Sequence, residues 1–148
     1  MRADKKDAKA LIDCWFAAYE YRAELERYDN RNARRADMDG MPRQHGAARG
    51  LDSEIIKEQN AEEKLHEKHA AFLRAQQKAL RALDRIIMYQ PQQGDYIKGM
   101  RAFLKLYYID DMPLKAAWRE AGITQRTAYR YKAAIYAAAN TQKRSLSD

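Results

Sequence analysis

Apolar side chains recur in this chain at three- and four-residue intervals over long stretches, the spacing that collects them on one side of an α-helix. Leu11, Cys14, Ala18, Tyr21, Leu25 and Tyr28 form the first such series, and Ile12, Trp15, Phe16 and Tyr19 widen its apolar side. Valine is absent and there are only three prolines, while Ala, Leu, Lys, Arg, Glu and Gln abound. These residues lose little freedom in a helix, and β-branched strand formers are scarce, so the pattern predicts an all-α fold.

The periodicity divides the chain. A first helix is expected over residues 7–28. Residues 30–50 hold arginines, three glycines and Pro42 with almost no large apolar group, and read as an exposed, flexible loop whose arginines belong to a solvated linker, the alternative being contact with DNA phosphates. A second long helix is expected over residues 52–89, polar at first and then striped by Leu65, Phe72, Leu73, Leu80, Leu83, Ile86 and Ile87, able to face the first helix in a hairpin or to pair across a dimer. Pro91 and Gly94 mark a short joint. Asp95 is then placed to cap a third helix carrying Tyr96, Ile97, Met100, Phe103, Leu104, Tyr107 and Tyr108. The expected organisation is an N-terminal helical hairpin or coiled-coil region (1–90), a helix-turn-helix DNA-binding domain (95–140) and a disordered tail (141–148).

The most specific motif lies in residues 114–135. A short helical run ends at Gly122, which can take the positive φ of a sharp turn, and Ile123 plugs the joint. Thr124 is suited to cap the next helix. Counting from it, Ala128, Tyr131 and Ile135 face inward, leaving Gln125, Arg126, Tyr129, Arg130 and Lys132 outside. Arginine can bond guanine O6 and N7 in bidentate fashion, and glutamine adenine N6 and N7, so Gln125, Arg126 and Arg130 are expected at base edges. Thr127, Tyr129 and Lys132 suit phosphates or thymine methyls by type. With the Thr124 cap, the expected DNA-binding set is Thr124, Gln125, Arg126, Thr127, Tyr129, Arg130 and Lys132.

Charge obeys the same division. The net +7 is uneven, with 18 basic against 16 acidic residues over 1–94 and 10 against 5 over 95–148. A field of that sign attracts a polyanion, and double-stranded DNA is the natural partner. A membrane is not expected: the basic residues do not flank a strongly apolar helix face, and no apolar run approaches a span. The polar start does not lead into a signal-peptide core, and the single Cys14 suits a reducing cytosol as a small core residue, so the chain is expected in the cytoplasm.

The phrase from Leu106 to Asp111, then the run from Leu114 to Gly122 and Ile123-Thr124-Gln125-Arg126-Thr127-Ala128-Tyr129-Arg130, together resemble the fourth region of bacterial sigma factors. The chain resembles more closely phage transcriptional regulators of the ArpU/RinA type. Met38-Asp39-Gly40-Met41-Pro42 stands where that family carries a Gly-rich loop containing Met-Pro between two long helices. The likeness covers most of the chain in layout and residues 104–135 residue by residue. It implies a sequence-specific phage transcription regulator that binds DNA through its C-terminal motif, with the N-terminal helices meeting host RNA polymerase or a second protomer as a homodimer. Two departures stand out. Pro113 replaces the usual Ser or Thr cap and suits the first helical position, and Trp118 replaces a small residue while Ala116, Ala117 and Ala121 are smaller than usual. The alternative is a DNA-packaging protein like a terminase small subunit, which recognises a packaging site and assembles a ring through its helices.

Catalysis is not expected. The only serines are Ser53, Ser145 and Ser147, none placed as a recombinase nucleophile. His66 and His69 could share a metal with Glu62 or Glu63, but no Cys or Asp cluster completes a site, and His69 reads better as the edge of an apolar stripe. The ten tyrosines read as core and DNA-facing aromatics, and no cofactor is expected.

Overall fold

A computed structural model describes residues 2–38, 47–88 and 95–140, and among them every regular element is helical. The joint at 89–94, the expected tail at 141–148 and residues 39–46 of the expected loop lie outside the described residues. Five α-helices succeed one another: α1 (Lys5–Met38), α2 (Ala47–Met88), α3 (Asp95–Leu104), α4 (Leu114–Glu120) and α5 (Gln125–Ala139). No proline falls inside any of them. Helix α1 continues to Met38, well into the stretch expected as loop, and α2 already begins at Ala47. Residues 30–37 lack large apolar groups, but residues 30–38 contain neither glycine nor proline, so nothing interrupts the backbone ladder.

Helices α1 and α2 lie side by side and antiparallel, and their cross-links fix the register. Asp7 in the first turn of α1 accepts from Arg85 in the last turn of α2 at 2.8 Å, each charge at the helix end whose dipole favours it. Further along, Lys68 meets Glu20 at 2.9 Å, His69 and Phe72 stack on Tyr21, and Tyr28 donates to Glu62 at 3.1 Å. Glu24 is buried on this seam, with Arg27 at 3.2 Å and Lys64 at 3.8 Å as its cations. The seam selects smaller side chains than the periodicity predicted: Ala79 and Ala82 are fully buried, whereas Leu73 is 46% exposed and Leu80 36%. Small residues let two helix backbones approach, and the larger leucines are displaced to the rim.

One core joins this pair to the C-terminal helices. Leu11 and Cys14 from α1, Leu83 and Ile86 from α2, Met100, Phe103 and Leu104 from α3, and Ala128 and Ile135 from α5 are all fully or almost fully buried in one cluster. Phe103 stacks on Tyr107 at 5.7 Å and lies against Tyr131 at 6.2 Å between ring centres. Helix α1 packs along α5 and covers its inner face.

Helix α3 does not end at Leu104 but widens into a π-helical turn over Lys105–Ile109, closed by the Asp110 N–H donating to the Lys105 carbonyl at 2.9 Å. A π turn inserts one residue into a helix and rotates the side chains beyond it. Tyr108 and Ile109 are therefore the buried pair, and Tyr107 is left half-buried at the surface. The carbonyls freed at this helix end are satisfied: Gln76 of α2 donates to Ile109 at 3.0 Å and the Met112 N–H to Leu106 at 2.9 Å. Asp111 then takes a left-handed φ of 57° and is held by Arg22 of α1 at 2.6 Å.

Candidate nucleic-acid interface

The turn between α4 and α5 is built by backbone hydrogen bonds. The Gly122 N–H donates to the Arg119 carbonyl and the Ile123 N–H to the Trp118 carbonyl, both at 3.1 Å, with Gly122 at φ 72°. This paired closure is the Schellman motif, and its left-handed residue is the position where glycine avoids a Cβ clash. Ile123 turns back onto α3, where a Cβ on Gly99 would lie 2.9 Å from its Cγ2 atom. Glycine at 99 therefore sets how closely the turn docks. Pro113 occupies the cap position before α4, not the expected first helical position. Its φ of −55° and ψ of 146° are those of a cap residue, and its carbonyl accepts the first helical bond from Ala117. Ala117 is the buried residue of α4, while Trp118 is half-buried with Arg119 over its ring. The exchange of bulk among Trp118 and its alanine neighbours thus places the small side chain in the core.

Thr124 caps α5 as expected, accepting from the Thr127 N–H at 3.2 Å. The two threonine hydroxyls also bond each other at 2.9 Å, so Thr127 acts first as part of the cap. Ala128, Tyr131 and Ile135 are buried, and Gln125, Arg126, Tyr129 and Arg130 are exposed. Among the described residues neither Arg126 nor Arg130 has an ion-pair partner. Lys132 departs from the expected outward position. It is half-buried, with its ammonium 5.2 Å from the Tyr107 ring centre and 5.8 Å from that of Tyr129, within cation–π range of both. The aromatic surface that the π turn leaves at Tyr107 draws the lysine sideways.

The exposed face of α5 runs further than the expected DNA-binding set. Ala133, Tyr136, Ala137 and Asn140 continue the stripe that starts at Arg126 and Arg130. The signal was the same three-and-four count extended by two turns. Small side chains at 133 and 137 leave room beside the helix, and Tyr136, 68% exposed, borders it. Beside this face the structure brings up Lys5 and Lys9 of α1, which no local motif marked. They and Lys132 line a groove of about 680 Å³ between α1 and α5, walled by aromatic rings. Tyr108, which also lines this groove, is buried, and burial pushes its hydroxyl pKa well up, with neighbouring Tyr107 adding to the shift.

No group of three metal-ligating side chains occurs among the described residues, and His66 and His69 are both exposed. No described helix is long and apolar enough to cross a membrane. Comparison with protein-family models, curated proteins and solved structures finds no match.

Proposed function

We propose that this chain is a sequence-specific DNA-binding protein that works as a transcription regulator of the phage late-gene type, with α4 and α5 as a helix-turn-helix and α5 as the helix that enters the major groove. The observation that carries the reading is the stripe of Gln125, Arg126 and Arg130 on α5, solvent-exposed and, for both arginines, without an acidic partner among the described residues. An arginine on a merely solvated face gains from a nearby carboxylate, and here the only acid among residues 112–140 is Glu120. The guanidinium pair is thus kept for an external acceptor. Guanine edges accept in the bidentate geometry that a free guanidinium presents. The N-terminal helix pair supplies the rigid support and, in this reading, the surface for host RNA polymerase or a second protomer.

Selection of bound fragments from genomic DNA tests the reading directly, and the recovered site then measures the side chains. Arg126→Ala and Arg130→Ala are each expected to weaken binding to that site by about 1–3 kcal/mol, with thermal melts unchanged. Unaltered affinity in both variants overturns the assignment. A site at a promoter supports regulation, whereas a packaging site bound by a ring of many copies in light scattering replaces regulation with the terminase-like role.

A further inference from the structure

We propose that the groove between α1 and α5 binds a nucleobase carrying a phosphate, as a free nucleotide or as part of a single strand. The two walls are helix stripes: Lys5, Lys9, Ile12 and Phe16 succeed one another at three and four residues on α1, and Lys132 and Tyr136 on α5 lead to Asn140 at its C-terminal cap. Tyr107 and Trp15 lie between them, with ring centres 6.5 Å apart. Phe16 is 53% exposed and Tyr136 68%, an exposure of aromatic area that the core does not use. Three lysines converge here against one carboxylate, Asp13, and none of the three has an ion-pair partner among the described residues. Like charges gathered without neutralisation favour an anion.

Size and lining together point to a small anionic ligand. A volume of about 680 Å³ is that of a small-molecule site. Flat aromatic walls beside cations fit a base and its phosphate, because every base offers a face for stacking and every nucleotide a charge for lysine. Asp13 and the Asn140 side-chain carbonyl add acceptors for the polar edge of the base or sugar, while the Asn140 amide nitrogen donates to the Tyr136 carbonyl at 2.9 Å. The groove lies beside the outer face of α5 and shares Lys132 with the expected DNA-binding set, but it does not include Arg126 or Arg130, the arginines on which the reading of that face rests.

Trp15 supplies the readout. With Trp118→Phe it is the only tryptophan, and its fluorescence is titrated with adenosine monophosphate, short oligothymidylate, adenosine and inorganic phosphate. Saturable quenching is expected with the nucleotide or the oligonucleotide, with adenosine and phosphate each at least about tenfold weaker, and calorimetry on the unmodified chain should rank them alike. Tighter binding of the strand identifies single-stranded nucleic acid as the source, and equal binding identifies the free nucleotide. Lys9→Glu and Phe16→Ala, both at exposed positions, should each weaken binding about tenfold or more, whereas Arg126→Ala should leave it unchanged. Absence of saturable binding by both nucleotide and strand overturns the proposal. So does equal affinity for phosphate alone, or full affinity in Lys9→Glu. Loss of duplex binding in Arg126→Ala with groove binding intact separates the two sites.

Discussion

Cys14 shows how burial sets chemistry at a single position. Fully enclosed in the core, its thiol pKa is pushed from 9.0 up to about 12, first by burial and then by the nearby carboxylates of Asp110 and Asp111. The nucleophile is the thiolate, so iodoacetamide at about pH 8 should label the folded chain only through opening, with a rate that rises as denaturant is added. Labelling at the rate of a free thiol would contradict the burial. The raised pKa also has a direction in stability: the contribution is intact below pH 9 and declines as pH climbs toward 12, a decline that Cys14→Ala should remove. Asp111 is a partner case. Burial raises its pKa and Arg22 pulls it back only in part, so the protein gives up some stability as pH rises past the usual carboxylate range. Arg22→Gln should deepen that loss by about 1 kcal/mol near neutral pH, and the difference from wild type should vanish in acid as Asp111 protonates. A pH-independent difference in urea melts would assign Arg22 a packing role instead.

At the scale of elements, close approach at the α3 contact is the testable feature. Gly99→Ala gains helix propensity of roughly 0.5–1 kcal/mol but forces a Cβ against Ile123, and overpacking costs about 1–3 kcal/mol. A net destabilisation is expected, relieved when Ile123→Ala is added, and thermal melts of the four proteins in that cycle check it. Purely additive effects would show that the two residues do not meet. The turn itself was legible in the sequence because each of its parts is local: Gly122, the Thr124 cap and the inward triplet of α5 all depend on neighbours a few residues away. The π turn at Lys105–Ile109 was not. Its identity depends on which carbonyls find partners, and one of those partners is Gln76 on a different helix. The phase expected for α3 therefore persists through Leu104 and slips at Tyr107, and with it slips the position of Lys132.

For the whole molecule, the all-α class was readable from composition, whereas the sharing of one core between α1, α2 and the C-terminal helices was not. That sharing joins Leu11 to Ile135, far apart in sequence, through contacts that no periodicity encodes. The grouping of Lys5 and Lys9 with Lys132 escaped the sequence for the same reason. It predicts that residues 95–148 expressed alone will lack a cooperative melt, since α5 loses its packing against α1 and the shared core loses Leu11, Cys14, Leu83 and Ile86. A sharp transition in that fragment, at the temperature of the full chain, would show the C-terminal helices to be self-sufficient.

Beyond Arg22, its anchor to Asp111, α1 runs for another sixteen residues to Met38, about 24 Å at the rise of an α-helix, with α2 fastened beside it through Tyr28 to Glu62 and Arg31 to the Lys57 carbonyl. Such a pair is a lever. A swing of about 10° at its root moves the far end by about 4 Å, so a label near Met38 would magnify small rotations of the helix pair against α5 into distances that spectroscopy resolves easily.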